Sequence, residues 1–422
     1  MTKRQSNGQI GQISRRSLLI GMGSLGISAL LAGCNRSGRG AALHLDLLSG
    51  SVPPQVLSDF QRQIRGARGL SVRSVESLDG LYRLLEQRQP IKPSESSESP
   101  NASESSATAD ERTLDQRTTP TLMSLGDFWL SAAIQQGWIA PLPLSTVAGW
   151  DLLPQPWQQM VTRNADGEPD PNGQIWAAPY RYAPLAIAYR ADRRDELGRA
   201  PADWDDLWNP AIQGRLTLPD SARSVIGLTL KKLERSINTD DLNDVPQLRA
   251  ELDALHGQVR LYSSDAYLQP LLLADTWVAV GWLSDLLPLV RRDPRVAVVI
   301  PPAGTLLSAD MWVMPTATPA STQAAEPLEN SVDLVQAWIE YCWNLAIATR
   351  FSLLGDAPSP VILGAASQAN GPANAALPDS VRNNPLLVPP ADTLERSEFL
   401  LPLSAPSTEQ YQAHWRQMRL PS

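Results

Sequence analysis

The stretch from Asp275 to Pro315 carries the residues best suited to holding a small molecule. It reads Asp275-Thr-Trp-Val-Ala-Val-Gly-Trp282-Leu-Ser-Asp285, passes through Val296-Ala-Val-Val-Ile-Pro-Pro, and closes on Gly304-Thr-Leu-Leu-Ser-Ala-Asp310-Met-Trp-Val-Met-Pro315. Two short β-branched runs, Val278 to Trp282 and Val296 to Ile300, are bounded by Gly or Pro and read as buried strands. Ligand crevices of open α/β sheets lie at the carboxyl ends of strands, which puts Trp282, Ser284 and a Gly304 to Asp310 loop beside a solute. The chemistry on offer is binding, by an indole face and a carboxylate. The competing reading makes Trp282 a core residue and Asp310 the cap of a loop. Asp127 likewise ends a strand, Thr121-Leu-Met-Ser-Leu-Gly. Near Ser221, after Leu216-Thr-Leu-Pro-Asp220, a helix begins whose free N–H groups favour anions or polar ligand atoms.

Catalysis has little to build on. The chain has three histidines, His44, His256 and His414, scattered along its length. There is no His-x-x-x-His, no Cys cluster and no Gly-x-Ser-x-Gly elbow. Cys342 sits among Ile339, Tyr341 and Trp343 and reads as a core residue. The chain is therefore expected to be no enzyme and to carry no metal or cofactor.

The elements that must position these residues alternate. His44 to Leu48 and Leu70 to Val75 read as strands, Pro53 to Ile64 and Ser77 to Arg88 as helices, with Ser77 as an N-cap. A βαβα opening implies parallel pairing with right-handed crossovers, an α/β doubly wound lobe. Between Gln89 and Pro120 the composition turns to Ser, Glu, Thr and Pro, a solvated insertion with too little to bury. After Leu130 to Gln136, a helix, Ala177-Ala-Pro-Tyr180-Arg-Tyr182-Ala-Pro184 leads on to Tyr189-Arg190. Pro179 and Pro184 divide it into two extended runs suited to crossing between lobes. The tail from Ala366 ends in a helical piece, Thr408 to Met418, with Tyr411, Trp415 and Met418 on one side.

With 422 residues and 43% hydrophobic content the chain predicts two to three domains. Residues 1–33 read as an address. Ser14-Arg15-Arg16-Ser17-Leu18-Leu19 is a twin-arginine pattern, and Leu31-Ala-Gly-Cys34 resembles a lipoprotein cleavage site that leaves Cys34 lipidated. Gly21-Met-Gly-Ser-Leu-Gly26 matches a dinucleotide pattern, but it lies inside this signal with no strand before it. With Cys34 taken by lipid, Cys342 is left without an intramolecular disulfide partner. Lys3, Arg4, Arg15 and Arg16 belong to the signal, so 32 of the 36 basic residues face 44 acids in the body. An acidic body argues against nucleic acid and favours cationic ligands.

From about Leu43 to Pro315, and more weakly to Ser359, the chain resembles the periplasmic solute-binding proteins of ABC transporters. The likeness is to the spermidine/putrescine-binding branch and its cyanobacterial lipoprotein relatives. It rests on Ser124-Leu-Gly-Asp-Phe-Trp129, Ala178-Pro-Tyr-Arg-Tyr182, Asp203-Trp-Asp-Asp-Leu-Trp208, Leu216 to Leu230, Tyr267-Leu-Gln-Pro270, Val278 to Trp282 and Gly304 to Pro315. The resemblance implies a two-lobed periplasmic-binding-protein fold of type II, with doubly wound lobes joined by a two-strand hinge and a solute held between them. Lobe one would be 41–180 plus 306–365, lobe two 185–304, and 366–422 a C-terminal extension. It further implies a permease and an ATPase as partners, a polyamine-like solute, and a periplasmic protein anchored to the membrane by its lipid.

A polyamine is held by carboxylates at its ammonium ends and by aromatic faces along its stem. Asp310 and Trp282 match the family's acid and stacking ring. Elsewhere the chain departs: two family acids fall on Ser221 and Ser224, a ring falls on Ser308, and first-strand aromatics fall on Leu48 and Ser51. Asp127, Asp220, Tyr180 and Tyr182 are the residues placed to compensate. The alternative is a degenerate member that serves as a tethered scaffold or sensor, or binds a different small polar solute.

Overall fold

The computed structural model describes residues 42–64, 69–88, 121–144, 147–316, 328–368 and 370–420. The expected signal with Arg15 and Arg16, the lipidation point Cys34 and the 89–120 insertion lie outside the described residues.

The chain opens as its periodicity predicts. Strand β1 (Ala42–Leu48) lies between β2 (Gly69–Val75) and β3 (Leu122–Gly126), parallel to both. The helix Pro54–Gln63 connects the first pair and buries Val56 and Phe60. The helix Leu78–Gln87 follows, with the Ser77 hydroxyl accepting from the Gly80 N–H at 3.0 Å and satisfying an otherwise orphaned donor. Three short strands come next: β4 (Ile139–Ala140), β5 (Thr162–Arg163) and β6 (Gln174–Ile175).

The long strand β7 (Ala178–Arg190) then crosses the molecule. Sequence punctuation suggested two runs; the backbone makes one. Pro184 lacks a ladder donor, and it stands where β7 exchanges neighbours, so no hydrogen bond is lost. Before it, β7 pairs antiparallel with β12 (Leu306–Pro315). After it, β7 pairs antiparallel with β10 (Val278–Trp282) and β11 (Val296–Val299). Strand β8 (Leu216–Leu218) lies between β9 (Val259–Tyr262) and β10, parallel to each. The principal sheet order is β2-β1-β3-β12-β7-β10-β8-β9.

Two large hydrophobic cores result. The first gathers Leu43, Phe60, Trp157, Trp312 and Trp338; the second gathers Ile187, Trp204, Leu228 and Val280. A smaller cluster holding Ala186, Ala188 and Tyr267 lies on the other face of β7, whose alternate residues serve both sides. The tail joins the cores. Leu377, Val381 and Leu387 enter the first, and strand β13 (Glu398–Phe399) pairs in parallel with Leu306 and Leu307 of β12. The final helix Ala405–Met418 buries Tyr411, Trp415 and Met418 in the second.

One expected loop is absent. Asp310 lies inside β12, opposite Arg181 of β7. The register shifts immediately after this pair, so Tyr180 is the unopposed residue of a bulge.

Candidate functional site

A cavity of about 420 Å³ lies between the two large cores. The first contributes Asp127, Phe128, Trp129 and Ser308; the helix Ala222–Lys232 and its cap contribute Ser221, Arg223 and Ser224; Tyr267 and Trp282 complete the aromatic wall.

Asp127 leaves β3 as the first residue of a single 3-10 turn, Asp127–Trp129. Its Oδ1 accepts from the Ser308 hydroxyl at 3.0 Å and from the Ala309 N–H at 3.1 Å. Burial pushes its pKa up to about 7, with a smaller push from the Asp310 charge, while the two hydrogen bonds pull the other way. A carboxyl so tuned is half ionised near neutrality, and an arriving cation would complete its ionisation. Trp129 stacks on Tyr82 with ring centroids 5.5 Å apart, which fixes the indole from behind.

On the facing wall, Trp282 ends β10 and packs against both large cores. Tyr267 lies across the strand at Gly281, where any Cβ would stand 2.2 Å from the phenol ring. Glycine is the residue that permits this approach. The Tyr267 hydroxyl donates to Asp285 Oδ2 at 2.6 Å. Burial raises the pKa of both groups, so the tyrosine stays protonated and its ring is pinned.

A larger groove of about 790 Å³ elsewhere is lined by Lys231, Arg396 and Glu398. Two of its charges are engaged with each other: Lys231 binds Glu398, and also the Arg396 carbonyl. Rings also line an adjoining cavity of about 750 Å³, with Tyr82, Phe128, Trp129 and Tyr411, but Asp127 and Trp282 belong to the lining of the smaller one.

Residues 120–396 match the family of bacterial extracellular solute-binding proteins.

The chain belongs to that family.

This solute-binding protein is 29% identical over 153 residues to the putrescine/cadaverine-binding protein of Pseudomonas aeruginosa, covering 34% of the chain and 43% of that relative. It is 26% identical over 250 residues to the spermidine/putrescine-binding periplasmic protein of Escherichia coli, covering 59% of the chain and 65% of the relative. The chain thus spans less than two thirds of the length of either. Its fold superimposes on the spermidine/putrescine ABC transporter substrate-binding protein PotD of Streptococcus pneumoniae with a TM-score of 0.70 at 17% identity, over 90% of this chain and 99% of that one. That likeness establishes the two-lobed periplasmic-binding-protein fold expected from the sequence.

Of the residues read from the sequence, Asp127, Trp282 and Ser221 line the cavity of the solute-binding protein. Four others do not line it. Asp310 does not line it, because its carboxylate is held by Arg181 and both are buried. Tyr180 stacks on Trp312 at 4.4 Å and hydrogen-bonds Ser124 Oγ at 2.8 Å, and burial pushes its pKa up to about 12. The Tyr182 hydroxyl donates to the Leu387 carbonyl at 3.0 Å. Asp220 is exposed and pairs with Arg419 at 2.7 Å. Arg223, Trp129 and Tyr267 were not singled out by the sequence, although each falls within a stretch that carries the family resemblance. Ser221, as expected, opens a helix: its Oγ accepts from the Ser224 N–H at 3.2 Å.

Proposed function

We propose that this protein is the extracytoplasmic receptor of an ABC transporter that captures a small, linear, amine-bearing solute of polyamine type. The observation that carries the reading is Asp127, set beside Trp129 in a cavity whose other wall holds Trp282. A carboxylate takes an ammonium through charge-assisted hydrogen bonds, and indole faces hold the alkyl stem and its charge. The names of the relatives support amines as the solute class.

Solute touching both walls would stabilise a closed arrangement, which a permease with its ATPase then reads. The lobes of this mechanism are 41–180 plus 306–365 and 185–304, with β7 and β12 as the two hinge strands. Residues 1–33, with Arg15 and Arg16, would direct export, and Cys34 would carry the lipid that holds the protein to the membrane. Replacing Cys34 by Ser should then release the protein from membranes into the soluble fraction.

The test is calorimetric titration of the full chain in detergent with putrescine, spermidine and a neutral amide. Binding of an amine at micromolar concentration or below, weakened at least tenfold by Asp127→Asn, supports the reading. Absence of heat and of thermal stabilisation with every amine sinks it.

A further inference from the structure

The cavity lining holds one acid and one base, and they come from opposite cores: Asp127 from the turn after β3, and Arg223 from the helix Ala222–Lys232. Arg223 is held firmly. Its Nη1 donates to the Ile237 carbonyl at 3.1 Å, and its Nη2 donates to Asn238 Oδ1 at 3.0 Å and to the Leu401 carbonyl at 3.1 Å. The guanidinium also lies over the Tyr411 ring, 4.9 Å from its centroid. Every one of these partners is neutral. Among the described residues no carboxylate stands within ion-pair distance of Arg223, and its buried Nε has no hydrogen-bond partner.

A fixed cation with no carboxylate at ion-pair distance, lining the cavity that Asp127 also lines, is a poor neighbour for a second ammonium, although the Asp240 charge acts on it from farther off. Like charges in a partly desolvated space repel, whereas a carboxylate there gains charge-assisted hydrogen bonds. Ser221 and Ser264 line the same cavity and their hydroxyls can donate to an anion, while the Ser224 hydroxyl already donates to Ser221 Oγ at 3.1 Å. The aromatic side chains of the same lining, Trp129, Tyr267 and Trp282, suit an apolar stem.

We propose that the solute bound most tightly is a linear amino carboxylate, its ammonium at Asp127 and its carboxylate at Arg223, with Arg223 as the residue that ranks it above diamines. This rests on the reading of the interlobe cavity as the solute site. Leu401 and Tyr411, which fix Arg223, lie beyond residue 396, where the family match ends. The selectivity device is thus partly built from the chain's own tail.

The experiment compares 5-aminopentanoate with cadaverine, the diamine of equal stem length, by calorimetric titration of the full chain and of its Arg223→Gln and Arg223→Lys variants, each checked by thermal unfolding. The expected result is tighter binding of aminopentanoate to the unaltered chain. Arg223→Gln weakens it about ten- to a hundredfold, the worth of a hydrogen bond to a charged group, and raises the affinity for cadaverine, while Arg223→Lys keeps the original preference. Cadaverine binding as tightly as aminopentanoate to the unaltered chain overturns the proposal and leaves the amine-receptor reading standing. So does an equal loss for both ligands in Arg223→Gln. If neither ligand binds, the proposal falls, and the putrescine and spermidine titrations decide the amine-receptor reading separately. Should Arg223→Gln not fold, the comparison on the unaltered chain still decides.

Discussion

Arg181 and Asp310 face each other across the β7–β12 ladder, 129 positions apart in sequence and both less than a tenth exposed. Opposed residues of an antiparallel pair project from the same face, so the register itself brings guanidinium and carboxylate together. The pair raises the pKa of Arg181 against the opposing effect of burial.

Removing one member leaves the other charge buried without compensation. Asp310→Asn is expected to lower unfolding free energy by about 3–5 kcal/mol. Adding Arg181→Met should recover part of that loss, because the orphaned charge goes with it. Denaturant melts of the two variants check this, and solute affinity measured below the transition should stay near that of the unaltered chain.

On the proposed role of Asp127, solute capture should be sensitive to pH. With its pKa raised to about 7, the carboxyl is increasingly protonated below neutrality and ceases to attract an ammonium. Affinity for an amine should therefore fall with acidification, approaching about tenfold per pH unit below 6. Titrations between pH 5 and 8 test this, and Asp127→Asn should flatten the profile at the weaker level.

The same group sets a stability signature of opposite sense. Its folded pKa lies above the ordinary 3.8, so the native state binds the proton more tightly than the unfolded chain does. Its contribution to stability falls as pH rises from about 4 through 7. Asp127→Asn is expected to raise the melting temperature at pH 8 and to leave it unchanged at pH 4, since its amide oxygen can still accept from Ser308 and Ala309.

At Gly281 a methyl group has nowhere to go, because its carbon would meet the Tyr267 ring at 2.2 Å. Gly281→Ala should displace the ring, break its hydrogen bond to Asp285 and cost about 1–3 kcal/mol of stability. Unfolding curves measure the cost. A second readout is solute affinity, which should drop because the displaced ring enters the cavity. Asp220→Asn, by contrast, removes only an exposed pair with Arg419 and should change stability by less than about 1 kcal/mol.

Local grammar in the sequence carried the opening of the fold. Ser77 and Ser221 cap helices as their positions suggest, and β1, β2 and β3 fall where the apolar runs place them. Asp127 and Trp282 were legible as cavity-lining residues because strand ends are local features that point at a crevice. Asp310 was misplaced because its partner, Arg181, is visible only after two distant strands are paired. Tyr180 and Tyr182 look available in a run divided by prolines, yet β7 is buried along nearly its whole length and their rings belong to the first core. Arg223 escaped notice because a lone arginine in the first turn of a helix ordinarily faces solvent. Its role emerges from Leu401, 178 positions away.

The tail also bears on mechanics. Its chain is fastened to one core at Leu387, laid beside β12 at Glu398 and Phe399, and fastened to the other core at Tyr411. Together with β7 and β12 it makes a third crossing. Two crossings leave rigid bodies free both to bend and to twist about the line joining them; a third, off that line, acts as a stay. Any rotation of one core against the other must therefore keep the span between Leu387 and Tyr411 within its contour length or peel β13 from β12, so the tail sets a mechanical limit on how far the cleft can gape.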